Sequence, residues 1–213
     1  MVALKDGGEI SLPSCRLTLN WSVIAVAKHD YRPTGDGYGI WRQEGRVLFA
    51  VADGTGSGSA AADAVESCLD SLADSLGVLS DDFQTCHQAL KGSRGAAMAL
   101  MVISTQTGVM TWAAVGDVDG VLMRPALGSG DVPAAITRIG GTLGITYNGI
   151  VAHSHKLEPG DMLVMTTDGV LRDFSAEISL NNPAETVVAQ ILRDFRRAGD
   201  DSLVMAIAVT ALA

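Results

Sequence analysis

Apolar residues along this chain fall into two rhythms. Residues 47–52 (Val-Leu-Phe-Ala-Val-Ala) form an unbroken apolar run, too short for a typical helix, that stops at Asp53-Gly54-Thr55-Gly56-Ser57-Gly58. That pattern predicts a strand buried on both faces and broken abruptly at its carboxyl end. Residues 16–27 are rich in β-formers and predict an earlier strand. Extended chain resumes at 38–41 after a turn at 33–37, which places Asp36 at a strand start. Residues 95–104 and 109–115 predict a hairpin across Thr105-Gln106-Thr107-Gly108, followed by strands at 118–123, 162–167 and 203–209 and two weaker ones at 136–139 and 150–156. Residues 125–132 read as loop from their Gly, Ser and Pro content.

The second rhythm is helical. Ala61, Val65, Cys68, Leu69, Leu72 and Leu76 recur at helical spacing and predict a helix over 59–76 ended by Gly77. Ser80 and Asp81 suit the cap of a second helix through Phe83, Cys86, Ala89 and Leu90, stopping at Gly92. Asn182 as cap and Pro183 in first position open a third, with Val187, Val188, Ile191, Leu192 and Phe195 as its buried face. Hairpin-joined strands with helices grouped singly or in pairs indicate an α+β fold of antiparallel sheets covered by helices.

This topology gives the acids a common address. Asp53 and Asp168 close their strands, Asp36 and Asp200 precede theirs, and in antiparallel sheets such ends and starts share a rim. No cation has comparable placement in the sequence, so divalent metal is the economical way to hold four carboxylates together. Carboxylates without Cys or His ligands favour Mg²⁺ or Mn²⁺. Two such ions about 3.5–4 Å apart, bridged by one Asp, would lower the pKa of a bound water and clamp a phosphoryl oxygen. The chemistry this favours is phosphoester hydrolysis.

Composition narrows the classes. With 213 residues, 47% hydrophobic and 18% charged, the chain can bury a full core, and a single domain over 1–213 is expected. A net charge of -9 argues against nucleic acid as a partner. The densest basic group, Arg193, Arg196 and Arg197, reads as a solvated helix end. Cys15, Cys68 and Cys86 lack metal-ligand spacing and suit free thiols in a reducing compartment. Residues 1–14 are polar rather than a signal core, and nothing is apolar enough to span a membrane, so a cytoplasmic protein is expected. His29, His87, His153 and His155 are not placed at the acid rim by the pattern.

Thr34-Gly35-Asp36, Ala52-Asp53-Gly54-Thr55-Gly56-Ser57-Gly58, Gly116-Asp117, Thr166-Thr167-Asp168-Gly169-Val170 and Gly199-Asp200-Asp201 together resemble, in order, the motifs of the PPM family of metal-dependent serine/threonine protein phosphatases. Small size, the glycine-rich wording and Ser93-Arg94-Gly95-Ala96 resemble most the stressosome feedback phosphatases of that family. The resemblance implies an α/β/β/α sandwich of two antiparallel sheets flanked by helix pairs. It matches Asp53 to a bridging ligand, Asp168 and Asp200 to the first metal, and the Gly54 carbonyl with Asp36 to the second. Asp117 matches an acid used for a third, weaker ion or else a plain turn, and Asp201 stands beside the ligand position of Asp200.

The resemblance further implies Mn²⁺ or Mg²⁺ as cofactor. It also implies a folded, phosphorylated stressosome component of the anti-sigma-antagonist type as partner, and a monomeric enzyme that resets general stress signalling. Gly35 stands where larger relatives carry Glu, no insertion between Asp117 and Asp168 provides a flap, and Arg32 is the nearby candidate for an upstream phosphate-binding arginine. Two rivals remain. A phosphatase-like binding module with little turnover keeps the same acids, and a dinucleotide-binding oxidoreductase would use Gly54, Gly56 and Gly58 but lacks the last glycine, where Ser59 stands.

Overall fold

The computed structural model describes residues 3–28, 33–75, 77–125 and 133–212. The expectations for His29, Arg32, Leu76 and loop residues 126–132 lie outside the described residues. Strands β1 (Ala3–Leu12), β2 (Leu17–Val26), β3 (Asp36–Gln43) and β4 (Arg46–Gly54) precede helices α1 (Ser59–Asp70) and α2 (Leu79–Ala89). Then come β5 (Ala96–Ser104), β6 (Val109–Val115), β7 (Asp119–Met123), β8 (Ala134–Ala135), β9 (Arg138–Ile139), β10 (His153–Lys156) and β11 (Met162–Thr166). Helix α3 (Ala184–Phe195) and β12 (Ser202–Ala211) complete the order. One six-stranded sheet runs β1-β2-β12-β11-β7-β8, and the other runs β10-β6-β5-β4-β3 with β9 parallel on β6.

Strand alternation explains the continuous apolar runs. Val47, Phe49 and Val51 of β4 point into the core between the sheets, with Trp112, Met101, Leu163 and Met205. Leu48, Ala50 and Ala52 point the other way, under α1 and α2, against Val65, Cys68, Phe83 and Cys86. β12 repeats the arrangement, with Leu203, Met205 and Ile207 inward and Val204 and Ala206 under Val187, Val188 and Ile191 of α3. A strand covered on both faces has no polar side to show, so its sequence reads as a run. The layers are therefore helix, sheet, sheet, helix.

Several elements depart from expectation. α1 ends at Asp70 rather than 76, because Ser71 Oγ donates to the Cys68 carbonyl at 2.7 Å and the next turns close through i−3 bonds such as Leu72 N to Leu69 O. α2 begins at Leu79 with Val78 as its cap, and Asp81 and Asp82 lie in its first turn, where the helix dipole favours them. Pro183 is the cap residue of α3 rather than its first helical residue. Among the described residues, α1 and α2 form a helix pair on one sheet, while α3 and a 3-10 turn at Arg172–Ala176 cover the other, in place of a second pair. β1 was not expected at all; it is an exposed edge strand whose Lys5, Asp6 and Glu9 conceal the β pattern and discourage edge-to-edge pairing. No helix among the described residues is long and apolar enough to cross a membrane.

Candidate metal centre

One end of the two sheets collects the acids. Antiparallel register sets Asp36, first residue of β3, opposite Asp53 near the end of β4. In the other sheet Thr166 ends β11 beside Val204 of β12, so Asp168 and the Asp200-Asp201 pair emerge together. Gly116 and Asp117 join β6 to β7 at the same end, and Gly116 needs its positive φ of 83° and lacks room for a Cβ, which would meet Ala97 Cβ at 2.5 Å. Asp36, Asp53, Asp117, Asp168, Asp200 and Asp201 thus line one cavity of about 350 Å³, with Thr55, Gly56, Gly141 and Thr142 completing its wall.

Three close approaches build it. A Cβ on Gly169 would lie 1.8 Å from the Asp201 carbonyl oxygen, so the missing side chain lets the Asp168 turn press against the start of β12. A Cβ on Gly54 would lie 2.3 Å from Ala61 O, so α1 is seated directly on the end of β4. Asp201 then ties the sheets together: its Oδ1 accepts from Lys28 N at 2.6 Å and its Oδ2 from Gly35 N at 2.8 Å. A Cβ on Gly35 would already crowd Ala61 Cβ at 3.2 Å and Asp201 Oδ2 at 3.3 Å, a physical setting for glycine where larger relatives carry Glu.

Thr167 is a residue the sequence reading quoted without a role. Its hydroxyl, 1% exposed, donates to Asp36 Oδ2 at 2.7 Å and accepts from Leu203 N at 2.9 Å. Its only signal was its place beside Asp168. Burial and mutual repulsion raise three of these acids. Burial, then the Asp53 charge, push Asp36 well above the usual carboxylate range, against the pull of the Thr167 hydrogen bond. Burial, then Asp168, push Asp53 up to about 7. Asp168 is raised by burial and then Asp200, while Arg197 pulls it down.

The expectation that no cation shares the rim is corrected. Arg138 Nη1 lies 3.4 Å and Arg172 Nη2 3.9 Å from Asp117 Oδ1, and Arg172 Nε lies 3.0 Å from Asp119 Oδ2. Arg94 Nη1 lies so near Gly56 that a Cβ there would meet it at 2.5 Å. The basic trio is corrected as well. Only Arg193 is a solvated residue of the helix end, paired with Asp194; Arg196 turns inward to the carbonyls of Ala27 and Asp200, and Arg197 borders the acids. The three histidines among the described residues stand apart from the cavity: His87 Nδ1 accepts from Gly144 N at 3.0 Å, His153 Nε2 pairs with Thr137 Oγ1, and His155 packs edge-on to Trp112. The dinucleotide reading fails on topology, since β4 is flanked by antiparallel β3 and β5 and starts no β-α-β unit.

Among the described residues no three carboxylate, His or Cys side chains close on a single point as a metal cage. The acids instead stand around a polar space. That suits Mg²⁺ or Mn²⁺, which keep several waters and bind through few carboxylates. The donor set is oxygen alone, and raised carboxylates call for positive charge, so these residues fit hard divalent ions.

Comparison with known proteins gives a consistent picture. The chain is 29% identical over 140 residues to the phosphoserine phosphatase RsbX of Bacillus subtilis (strain 168), covering 64% of this chain and 67% of that one. A solved chain from work on the bacterial stressosome, a modular system adapted to control secondary messenger signalling, superposes with TM-score 0.78 at 27% identity, covering 89% of this chain and 98% of that one. RsbX in complex with magnesium superposes with TM-score 0.82 at 21% identity, over 97% of this chain and 100% of that one. The family model of stage II sporulation protein E matches residues 43–210. The chain therefore belongs to the SpoIIE family of PP2C-type phosphatase domains.

Proposed function

We propose that this chain is a metal-dependent phosphoserine/phosphothreonine protein phosphatase acting on a folded regulatory protein. The observation that carries the reading is the cavity walled by Asp36, Asp53, Asp168 and Asp200 at the shared rim of both sheets. Similarity to a phosphoserine phosphatase supports it. Asp53 would bridge two ions, with Asp168 and Asp200 on the first and Asp36 and the Gly54 carbonyl on the second. When bound, such ions supply Lewis acidity at the phosphoryl oxygens and a strong nucleophile at neutral pH.

The chain's own residues do the rest. Thr167 fixes the Asp36 carboxylate by a buried hydrogen bond. We assign Asp201 to holding the 28 and 35 segments, since both its oxygens accept backbone N–H groups, and Asp200 to ligation. Asp117, 73% exposed at its side chain, sits in ion pairs with Arg138 and Arg172, and a third ion there would compete with both. Similarity to RsbX and to a stressosome chain supports a phosphorylated stressosome-type regulator as substrate and a cytoplasmic setting.

The test of the substrate class is Mn²⁺-supported dephosphorylation of an intact phosphorylated scaffold or anti-sigma-antagonist protein, against a peptide bearing the same phosphosite. The intact protein should be turned over far faster, because docking of two folded surfaces supplies positioning. Equal rates would remove the folded-partner part of the reading.

A further inference from the structure

Next to the acid cavity lies a second one of about 390 Å³ that shares Asp117, Asp168 and Asp200 with it and is walled beyond them by Val170, Leu171, Arg172, Asp173 and Arg197. Its two arginines differ. Arg172 is committed to Asp119 at 3.0 Å and reaches Asp117. The Arg197 guanidinium, exposed, makes no hydrogen bond or ion pair among the described residues. A cation bordering a cluster of acids yet unpaired with any of them is available to an incoming anion.

The backbone that carries Arg197 is fixed. Leu171 N donates to Phe195 O at 2.8 Å, Arg197 N donates to Gly169 O at 2.8 Å, and Val170 bridges Arg196 between them. In extended chain, successive side chains leave on opposite sides. Arg196 accordingly turns in, with Nη2 to Ala27 O at 3.3 Å and to Asp200 O at 3.1 Å, while Arg197 turns out to the cavity. The same pairing ties the Arg197 backbone to the Asp168-Gly169 turn, so the two side chains leave neighbouring points of the backbone.

We propose that Arg197 is the phosphate-gripping residue of this enzyme and that the second cavity is the subsite through which the phosphorylated side chain reaches the acids. The inference rests on the phosphatase reading above and adds to it a named recognition residue. A planar guanidinium matches two phosphoryl oxygens at once, which an ammonium does not. Asp117 and Arg172 line that cavity as an ion pair and Asp173 adds a further acid, so among its described lining residues Arg197 is the cation left to take an approaching phosphoryl dianion.

The test uses the full chain loaded with Mn²⁺. Arg197→Ala should weaken competitive inhibition by inorganic phosphate and raise KM for a small aryl phosphate about tenfold each, with Arg197→Lys between it and wild type. Mn²⁺ affinity by calorimetry should stay within about twofold, because no metal ligand is touched. Arg193→Ala, on the exposed pair with Asp194, should match wild type, and Arg94→Ala, which lines neither cavity, should have the smaller effect. Unchanged phosphate inhibition and KM in Arg197→Ala would overturn the proposal. So would a loss of Mn²⁺ affinity in step with the loss of phosphate, or an effect carried by Arg94 instead. Should wild type hydrolyse no phosphomonoester, the phosphatase reading falls, and calorimetric binding of inorganic phosphate in Mn²⁺ still decides Arg197 by itself.

Discussion

Removing metal should invert the pH dependence of stability, and Asp53 sets the size of the effect. In the unfolded chain an Asp titrates near 3.8, whereas the folded, metal-free protein holds Asp53 at about 7 through burial and the charge of Asp168. Between those values the native state binds the extra proton, so stability is full below the lower pKa, falls as pH rises toward the upper one, and then levels off. A shift of about three units at 1.36 kcal/mol each puts a ceiling of roughly 4 kcal/mol on Asp53, and relaxation of a partly solvated site brings the expectation to about 2–4 kcal/mol. Asp36, raised in the same direction, reinforces the trend. In chelator about two of those three units fall between pH 5 and pH 8, roughly 1–3 kcal/mol, so the melting temperature should drop by roughly 2–12 °C over that window in a domain of this size. Asp53→Asn should remove much of that slope. Saturating Mn²⁺ should reverse it, since ligation requires the deprotonated carboxylates. Differential scanning calorimetry at stepped pH, with and without metal, makes the comparison. A metal-free protein that grows more stable from pH 5 to pH 8 would refute the crowded-acid account.

Two substitutions probe how the rim is built. Gly169→Ala places a methyl where the Asp201 carbonyl already lies, and should cost about 1–3 kcal/mol in chemical denaturation while weakening Mn²⁺ binding through displacement of Asp168. Thr167→Val keeps the volume but strips Asp36 of its donor and leaves the Leu203 N–H buried without its acceptor. A loss of about 1–3 kcal/mol is expected, with Mn²⁺ binding shifted to higher pH, and Thr167→Ser should restore both.

How much of this could be read from residues alone follows from what each element buries. β4, β11 and β12, covered on both faces, announce themselves as apolar runs, and the ends of the first two and the start of the third put Asp53, Asp168 and Asp200 at one rim. β1 was illegible because an edge strand leaves most of one side in solvent, so polar residues break its alternation. The end of α1 was overread because Leu72 continues the apolar rhythm, 0% exposed, although the chain has already left the helix at Ser71. Local pattern also could not see that Arg172, Arg138 and Arg197 would meet the acids. That convergence depends on the pairing of β9 with β6, on the 3-10 turn after β11 and on the strand pairing after α3, all products of tertiary packing. Asp200 and Asp201 are neighbours in sequence with opposite duties, separable only once the N–H groups of Lys28 and Gly35 are seen converging on one of them.

The central claim is that acids from the ends of two sheets hold divalent ions that drive phosphoester hydrolysis, and one paired measurement reaches it directly. Mn²⁺ titration by calorimetry and turnover of a phosphoserine protein should be run on the same preparations of wild type and Asp53→Asn. The account predicts that wild type binds Mn²⁺ and loses turnover in chelator, and that Asp53→Asn loses both binding and turnover by at least about a hundredfold, as expected when a bridging ligand is removed. Full turnover in chelator, or an Asp53→Asn variant that still turns over substrate at the wild-type rate, would contradict it.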